Sequence, residues 1–137
     1  MARVIGIDLG KKRIGIAVSD ETQAISSTVK TLVVKSVKLA LDYIAVLAKS
    51  YAAEKIVIGL PLNMNGTRGP EAEKALDFTR RLKHKVTAEV LTFDERLTTS
   101  QGEKILILAG ISRKRRKEHI DKLAAQIMLQ AYLDSNR

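Results

Sequence analysis

Two apolar runs, Val4 to Leu9 and Ile14 to Ser19, open the chain on either side of Gly10-Lys11-Lys12-Arg13, a pattern that predicts two antiparallel strands joined by a tight turn. A third strand is expected over Ser26 to Val34. Ser36 is placed to cap a helix in which Val37, Leu41, Ile44, Leu47 and Tyr51 recur at helical spacing and form an apolar stripe. Lys55 to Leu60 reads as a buried strand stopped by Pro61. The breaker-rich stretch Pro61 to Gly69 is a loop, and Pro70 suits the first position of a helix running to about Lys83. Val86 to Phe93 predicts a fifth strand, and Ser100 with Glu103 forms a capping-box pattern for a helix ending at Gly110. A final helix is expected to start near Lys117, with Ile120, Leu123, Ala124, Ile127, Met128 and Ala131 on one face.

No linker, repeat or low-complexity segment interrupts this order, and 137 residues suit one domain spanning 1–137. The order predicts an α/β fold with a mixed five-stranded sheet that starts antiparallel and continues through right-handed helical crossovers. If the first, fourth and fifth strands run parallel, Asp8, the Pro61 to Gly69 loop and Glu95 meet at the carboxyl edge of one sheet, where ligand sites of open α/β sheets lie. Alternation puts Asp8 on the face of Val4 and Gly6, and Gly15 and Ala17 give the second strand a small-residue face. The alanine-rich last helix is the element expected to pack there, which would project Asp121 from its N-terminal part toward Asp8.

Composition narrows the chemistry. There is no cysteine, which excludes disulfides, thiolate metal sites and cysteine nucleophiles. His84 and His119 have no ligand-spaced partner and read as surface residues, so a bound metal would take oxygen ligands. The formal charge of +9 is concentrated in Lys11-Lys12-Arg13 and in Arg113-Lys114-Arg115-Arg116-Lys117, a clustering that suits a phosphate backbone better than a merely solvated surface. No apolar run is long enough to cross a bilayer, and Met1-Ala2-Arg3 leads straight into the first strand, so a soluble cytoplasmic protein without membrane partners is expected.

Three carboxylates converging in a basic setting cannot all ionise without a counter-charge. One or two Mg²⁺ or Mn²⁺ ions would supply it, and two such ions about 4 Å apart activate water and stabilise the leaving oxygen of a phosphodiester. Each acid also has a plainer role open to it. Asp8 before Gly10 can end a strand, Glu95 can pair with Arg96 or Lys104 at the surface, and Asp121 can complement a helix N-terminus.

Four motifs change the balance. Asp8-Leu9-Gly10 with Lys12-Arg13-Ile14-Gly15 and Ser19-Asp20 comes first, then Gly59-Leu60-Pro61 with Asn63-Met64-Asn65-Gly66 and Gly69-Pro70. Asp94-Glu95-Arg96-Leu97-Thr98-Thr99 and Asp121-Lys122-Leu123-Ala124-Ala125 with Leu129-Gln130 and Tyr132-Leu133 complete the set. In this order and spacing they resemble the bacterial YqgF family over essentially the full chain. The resemblance implies a ribonuclease H-like three-layer fold related to RuvC-type Holliday junction resolvases, with the first three strands antiparallel and helices on both faces of the sheet. It implies a metal-dependent nuclease, described either as processing the 5′ end of precursor 16S ribosomal RNA in ribosome biogenesis or as resolving branched DNA, the latter requiring a dimer.

The resemblance carries catalytic, metal-binding roles onto Asp8, Glu95 and Asp121. Asp8 and Asp121 would hold the metals, and Glu95 would share one of them or orient the attacking water. Lys12, Arg13, Arg96 and Arg113 to Lys117 would steer and grip phosphates, and Asn63 and Arg68 would touch the substrate backbone. Asn65 stands where many members have Asp. Ala124 stands where RuvC-type resolvases often carry a fourth acid, which argues against a four-carboxylate site. Aromatic residues make up 4% of the chain, so shape and backbone recognition of structured RNA or branched DNA should outweigh base reading. A monomer or weak homodimer is expected. Two readings from other classes remain: a catalytically silent RNA-binding or ribosome-assembly protein, and an actin-like or sugar-kinase ATPase hairpin, for whose second domain the chain is too short.

Overall fold

The computed structural model describes residues 2–96, 110 and 112–136, with the side chains of several residues between 113 and 122 outside the description. Its elements are β1 (Arg3–Leu9), β2 (Arg13–Ser19), β3 (Ser26–Val33), α1 (Val37–Ser50), β4 (Ala53–Leu60), α2 (Pro70–Lys83), β5 (Glu89–Asp94) and α3 (Arg113–Ser135). The strands form one sheet in the order β3-β2-β1-β4-β5. β1 is antiparallel to β2, β2 to β3, and the pairs β1–β4 and β4–β5 are parallel. The two parallel pairs follow from the helical crossovers α1 and α2, and the antiparallel start follows from the short turn.

That turn closes as its sequence requires: the Gly10 amide donates to the Arg13 carbonyl at 2.8 Å, and a Cβ on Gly10 would lie 2.6 Å from that oxygen. Ser36 caps α1, its hydroxyl accepting from the Leu39 amide at 3.1 Å, and Pro70 starts α2 where its missing N–H costs nothing.

Alternation along the strands sorts side chains into two layers. Ile5 and Ile7 of β1, Ile14 and Ile16 of β2, and Ile56 and Ile58 of β4 pack under α1 and α2 against Leu41, Ile44, Phe78 and Leu82. On the opposite face Val4, Ala17 and Val57 pack against Ala125, Met128, Leu129 and Leu133 of α3. This second layer is thin because glycine and alanine occupy it: a Cβ on Gly6 would stand 2.8 Å from Leu129 Cβ, and one on Gly15 3.3 Å from Ala125 Cβ. Helix α3 therefore lies close to the sheet, directly over β1 and β2.

Two glutamines lock it there. Gln130 accepts from the Ser26 amide (2.9 Å) and donates to the Ala24 carbonyl (2.9 Å), while the Gln126 side chain accepts from the Thr28 hydroxyl at 2.7 Å. Neither was singled out by hydrophobic patterning, because polar residues on a helix read as solvent-facing until their partner strand is known.

Two boundaries move by three or more residues from where the pattern predicts them. The fifth strand starts at Glu89 rather than Val86; Val86 and Ala88 still pack against the core, but from an unpaired connection, since the ladder with β4 begins at Lys55–Glu89. The last helix starts at Arg113 rather than near Lys117, because Ser112 caps it through the Arg115 amide at 3.4 Å. The basic run thus forms the first turns of α3. Of the expected helix from Ser100 to Gly110 only Gly110 lies within the described residues, with φ of +75°. No helix among the described residues is long and apolar enough to cross a membrane.

The close approach of α3 makes Gly6 intolerant. Gly6→Ala sets its new methyl against the Cβ of Leu129, which no rotamer change moves away, and should cost about 1–3 kcal/mol of stability in urea unfolding. An unchanged midpoint would show that α3 is not seated at this distance.

Candidate active site

Because β1, β4 and β5 are parallel, their carboxyl ends share one edge of the sheet. Asp8 sits there opposite Gly15 in the β1–β2 ladder, and Leu60 lies opposite Asp94, with the Glu95 amide donating to the Leu60 carbonyl at 3.1 Å. This bond turns the chain as it leaves β5 and brings Glu95 back over β4. Gly59 makes room for it: a Cβ there would lie 2.6 Å from the Glu95 carboxyl carbon. Gly59 appears in the sequence as a motif residue and as a glycine interrupting an apolar strand, but its role in positioning Glu95 shows only once the chain leaving β5 is seen to turn back over β4.

The Asp8 and Glu95 carboxyls are hydrogen-bonded to each other, and the pair is electrostatically frustrated. Burial, then the hydrogen bond with Asp8, then the negative charges of Asp8 and Asp94, push Glu95 up to about 9 from its ordinary 4.5. A shared proton is the resolution available to the protein alone. Two adjacent hard oxygen donors held in this state are the donor chemistry that a divalent cation fits. Among the described residues no third carboxylate or histidine joins them closely enough to form a metal-binding group. The side chain of Asp121 lies outside that description; its backbone is in α3, four residues before Ala125, whose Cβ and amide face the Gly15–Asp8 corner of the sheet.

A cleft of about 600 Å³ opens beside Asp8, between the β1–β2 turn, β3 and α3. Lys11, Lys12 and Arg13 line one wall, Thr31 the floor, and Ala124 and Ala125 the other wall. The three basic side chains are exposed, and the Lys12 carbonyl accepts from the Val34 amide at 2.9 Å, fixing the turn against the end of β3. Ala124, the position of a possible fourth acid, contributes only a methyl wall.

The remaining candidates differ in what they touch. Asn63 and Arg68 are exposed in the loop after β4. Asn63 helps hold that loop: its side-chain amide donates to the Thr67 hydroxyl at 3.0 Å, its backbone amide donates to the Thr67 carbonyl, and its carbonyl accepts from the Gly66 amide. Asn65, which replaces an acid common in the resembling family, accepts from the Thr67 hydroxyl at 2.6 Å. An amide oxygen therefore serves the turn as well as a carboxylate would. Arg96 does not pair with Glu95; its guanidinium grips Asp94, with Nη2 at 2.7 Å from Oδ2, and its Nη1 reaches the Met64 carbonyl at 3.3 Å. This contact holds the Asp94 carboxyl below the usual carboxylate range. Arg115 is exposed on α3; the side chains of Arg113, Lys114, Arg116, Lys117 and His119 lie outside the described residues, and His84 is exposed at the C-terminal cap of α2.

The raised Glu95 value fixes the sign of a pH effect. A carboxyl whose folded value lies above its unfolded one stabilises the fold fully below about 4.5, and that contribution is lost as pH climbs toward 9. Glu95→Gln removes the liability, so in metal-free buffer its melting temperature should exceed that of the unsubstituted protein by a margin that grows from pH 5 to pH 9. A margin independent of pH would mean that the two carboxyls do not meet.

Comparison with known proteins agrees with this architecture. A family model described as "RuvX: Holliday junction resolvase" matches residues 2–135. A protein named "Putative pre-16S rRNA nuclease" from Lactococcus lactis subsp. cremoris is 47% identical, covering 98% of this chain and 96% of that protein. Like-named proteins from Syntrophomonas wolfei subsp. wolfei (48% identical, 96% and 94% covered) and Caldanaerobacter subterraneus subsp. tengcongensis (46%, 98% and 98%) are similar to it at the same level. Among solved structures, Thermus thermophilus RuvC in complex with a Holliday junction substrate superposes with a TM-score of 0.61 at 14% identity, covering 99% of this chain and 96% of that one. The fowlpox virus Holliday junction resolvase does so with 0.54 at 14%, covering 97% and 99%. These structures show a RuvC-like, ribonuclease H-like fold, the three-layer architecture that the YqgF resemblance implied. With a family model spanning nearly every residue and relatives close to half identical along their whole length, the chain belongs to the RuvX family.

Proposed function

We propose that this protein is a divalent-metal-dependent nuclease that hydrolyses phosphodiester bonds in structured RNA, with the 5′ end of precursor 16S ribosomal RNA as its substrate. The observation that carries the reading is the Asp8–Glu95 pair, two carboxyls forced together, of which Asp8 lines a cleft walled by Lys11, Lys12 and Arg13. A pair that cannot ionise freely beside cations that attract a polyanion is what a phosphodiesterase needs. The choice of RNA rests on the names of relatives 46–48% identical over nearly their whole length, whereas the likeness to junction resolvases of solved structure is one of fold at 14% identity.

Asp8 and Glu95 would hold one or two Mg²⁺ or Mn²⁺ ions. Asp121 would complete the set, since its position precedes Ala125 by one helical turn on the helix seated over Asp8. Bound there, the metal would supply charge neutralisation and Lewis acidity toward the scissile phosphate. The chain's own residues do the rest. Lys12 and Arg13 bind the phosphates flanking the cleft, and Glu95, released from its shared proton, accepts a hydrogen bond from the attacking water. The Arg113 to Lys117 run occupies the first turns of α3, where positive charge opposes the helix dipole, and bound phosphates would relieve that cost. Asn63 and Arg68, exposed in the loop after β4, would touch the substrate backbone. Such a protein works in the cytoplasm, where ribosomes are assembled.

Resolution of branched DNA by a dimer is the second reading, favoured by the family's description. Precursor 16S fragments and four-way DNA junctions offered side by side with Mg²⁺ or Mn²⁺ separate the two. Cleavage of the RNA alone is expected, with Asp8→Asn, Glu95→Gln and Asp121→Asn each reducing the rate by about a hundredfold or more. Equal rates from all three variants would sink the carboxylate mechanism, and junction cleavage without RNA cleavage would reverse the substrate assignment. Lys12→Ala should weaken RNA binding and lower the slope of log affinity against log salt by about 0.7–0.9, the signature of one lost phosphate contact; an unchanged slope would remove Lys12 from the interface.

A further inference from the structure

Arg96 lies one residue beyond Glu95, yet each of its three guanidinium nitrogens already has a partner within the protein. Nε sits 3.1 and 3.0 Å from the two Asp94 carboxylate oxygens, Nη2 2.7 Å from Oδ2, and Nη1 3.3 Å from the Met64 carbonyl. The Arg96 amide also donates to Asp94 Oδ1 at 3.0 Å, so the carboxylate is grasped by backbone and side chain at once. The far end of this chain of contacts is the loop after β4. Its turn is closed by Asn63, Asn65 and Thr67, and a Cβ on Gly66, at φ of +85°, would lie 3.4 Å from Arg96 Nη1. The loop is thus stiff within itself and fastened to the end of β5 at one point, while Met64 at its tip is 88% exposed.

We propose that Arg96 is a positioning residue and not a phosphate ligand: with Asp94 it forms a clamp that fixes the Asn63–Thr67 turn at a set height above Glu95, so that Asn63 and Arg68 meet the substrate in register with the carboxylates. A guanidinium suits the task because its rigid planar fork holds a carboxylate and a carbonyl in one fixed geometry, whereas an ammonium is a point charge with no such fork. The inference rests on the nuclease reading for its catalytic consequence, but the clamp is a property of the free protein.

Two measurements on the full chain test it. In the free protein, amide hydrogen exchange across residues 61–69 should quicken by about fivefold or more in Arg96→Ala, Arg96→Lys and Asp94→Asn alike, because each breaks the same clamp. With a precursor 16S RNA fragment and Mn²⁺, the same three variants should lose about tenfold or more in kcat, with KM changed by less than about threefold, as misplacement of a positioned group does. Their salt slope for RNA binding should remain that of the unsubstituted protein. A phosphate ligand behaves differently on every count: Arg96→Ala would lower the slope by about 0.7–0.9, Arg96→Lys would retain activity, and Asp94→Asn would tighten binding. That pattern, or loop exchange unchanged in Arg96→Ala, overturns the clamp. Absence of RNA binding and cleavage by the unsubstituted protein overturns the nuclease reading instead, and the exchange measurement then still decides the clamp.

Discussion

The seat of α3 on the sheet is the constraint from which the site follows. Glycine at 6 and 15 and alanine at 17 remove the side chains that would otherwise hold the helix farther from the strands, and Leu129 and Ala125 fill the space directly. A larger residue at any of these places would lift the helix and separate the C-terminal segment from Asp8. On the other face of the sheet, isoleucines pack under α1 and α2. The small-residue face sets the distance at which α3 meets β1 and β2.

Against that scaffold, Asp8 and Glu95 are a deliberate local inconsistency. Asp20 shows the opposite arrangement: it accepts from the Ile25 amide, the Thr22 hydroxyl and the Ala24 amide, and these contacts hold it near 2. At the sheet edge, a glycine is spent to bring a second carboxyl onto the first, and burial and repulsion are left standing. Strain of this sort survives where a ligand relieves it, and the basic wall of the cleft that Asp8 lines lies beside it.

Much of this was legible in the sequence because the signals were local. The turn at Gly10, the Ser36 cap, Pro70 at a helix start and the alternation in β1, β2 and β4 each depend on a few adjacent residues, and all agree with the fold. The meeting of Asp8 and Glu95 followed from strand direction alone. The rest depends on partners distant in sequence. Val86 is as apolar as a strand residue, but whether it pairs is decided by where β4 begins; Gln126 and Gln130 declare themselves only against β3; and Arg96 has a neighbour in Asp94 that charge counting does not choose over Glu95. The early start of α3 was obscured because five consecutive cations disfavour a helix N-terminus, and a single serine cap outweighs them.

The glutamine contacts have a consequence for the order of events during synthesis. Gln126 and Gln130 bind residues 24–28, about a hundred positions earlier, and the helix that carries them covers strands made first. Until the last turns of that helix leave the ribosome, β1 and β2 expose a bare glycine face with no third wall to the cleft. Contacts of such long range close late. A nascent chain therefore carries Asp8 and Glu95 before the cleft beside Asp8 is finished, and that cleft takes its shape only once α3 has been made and seated.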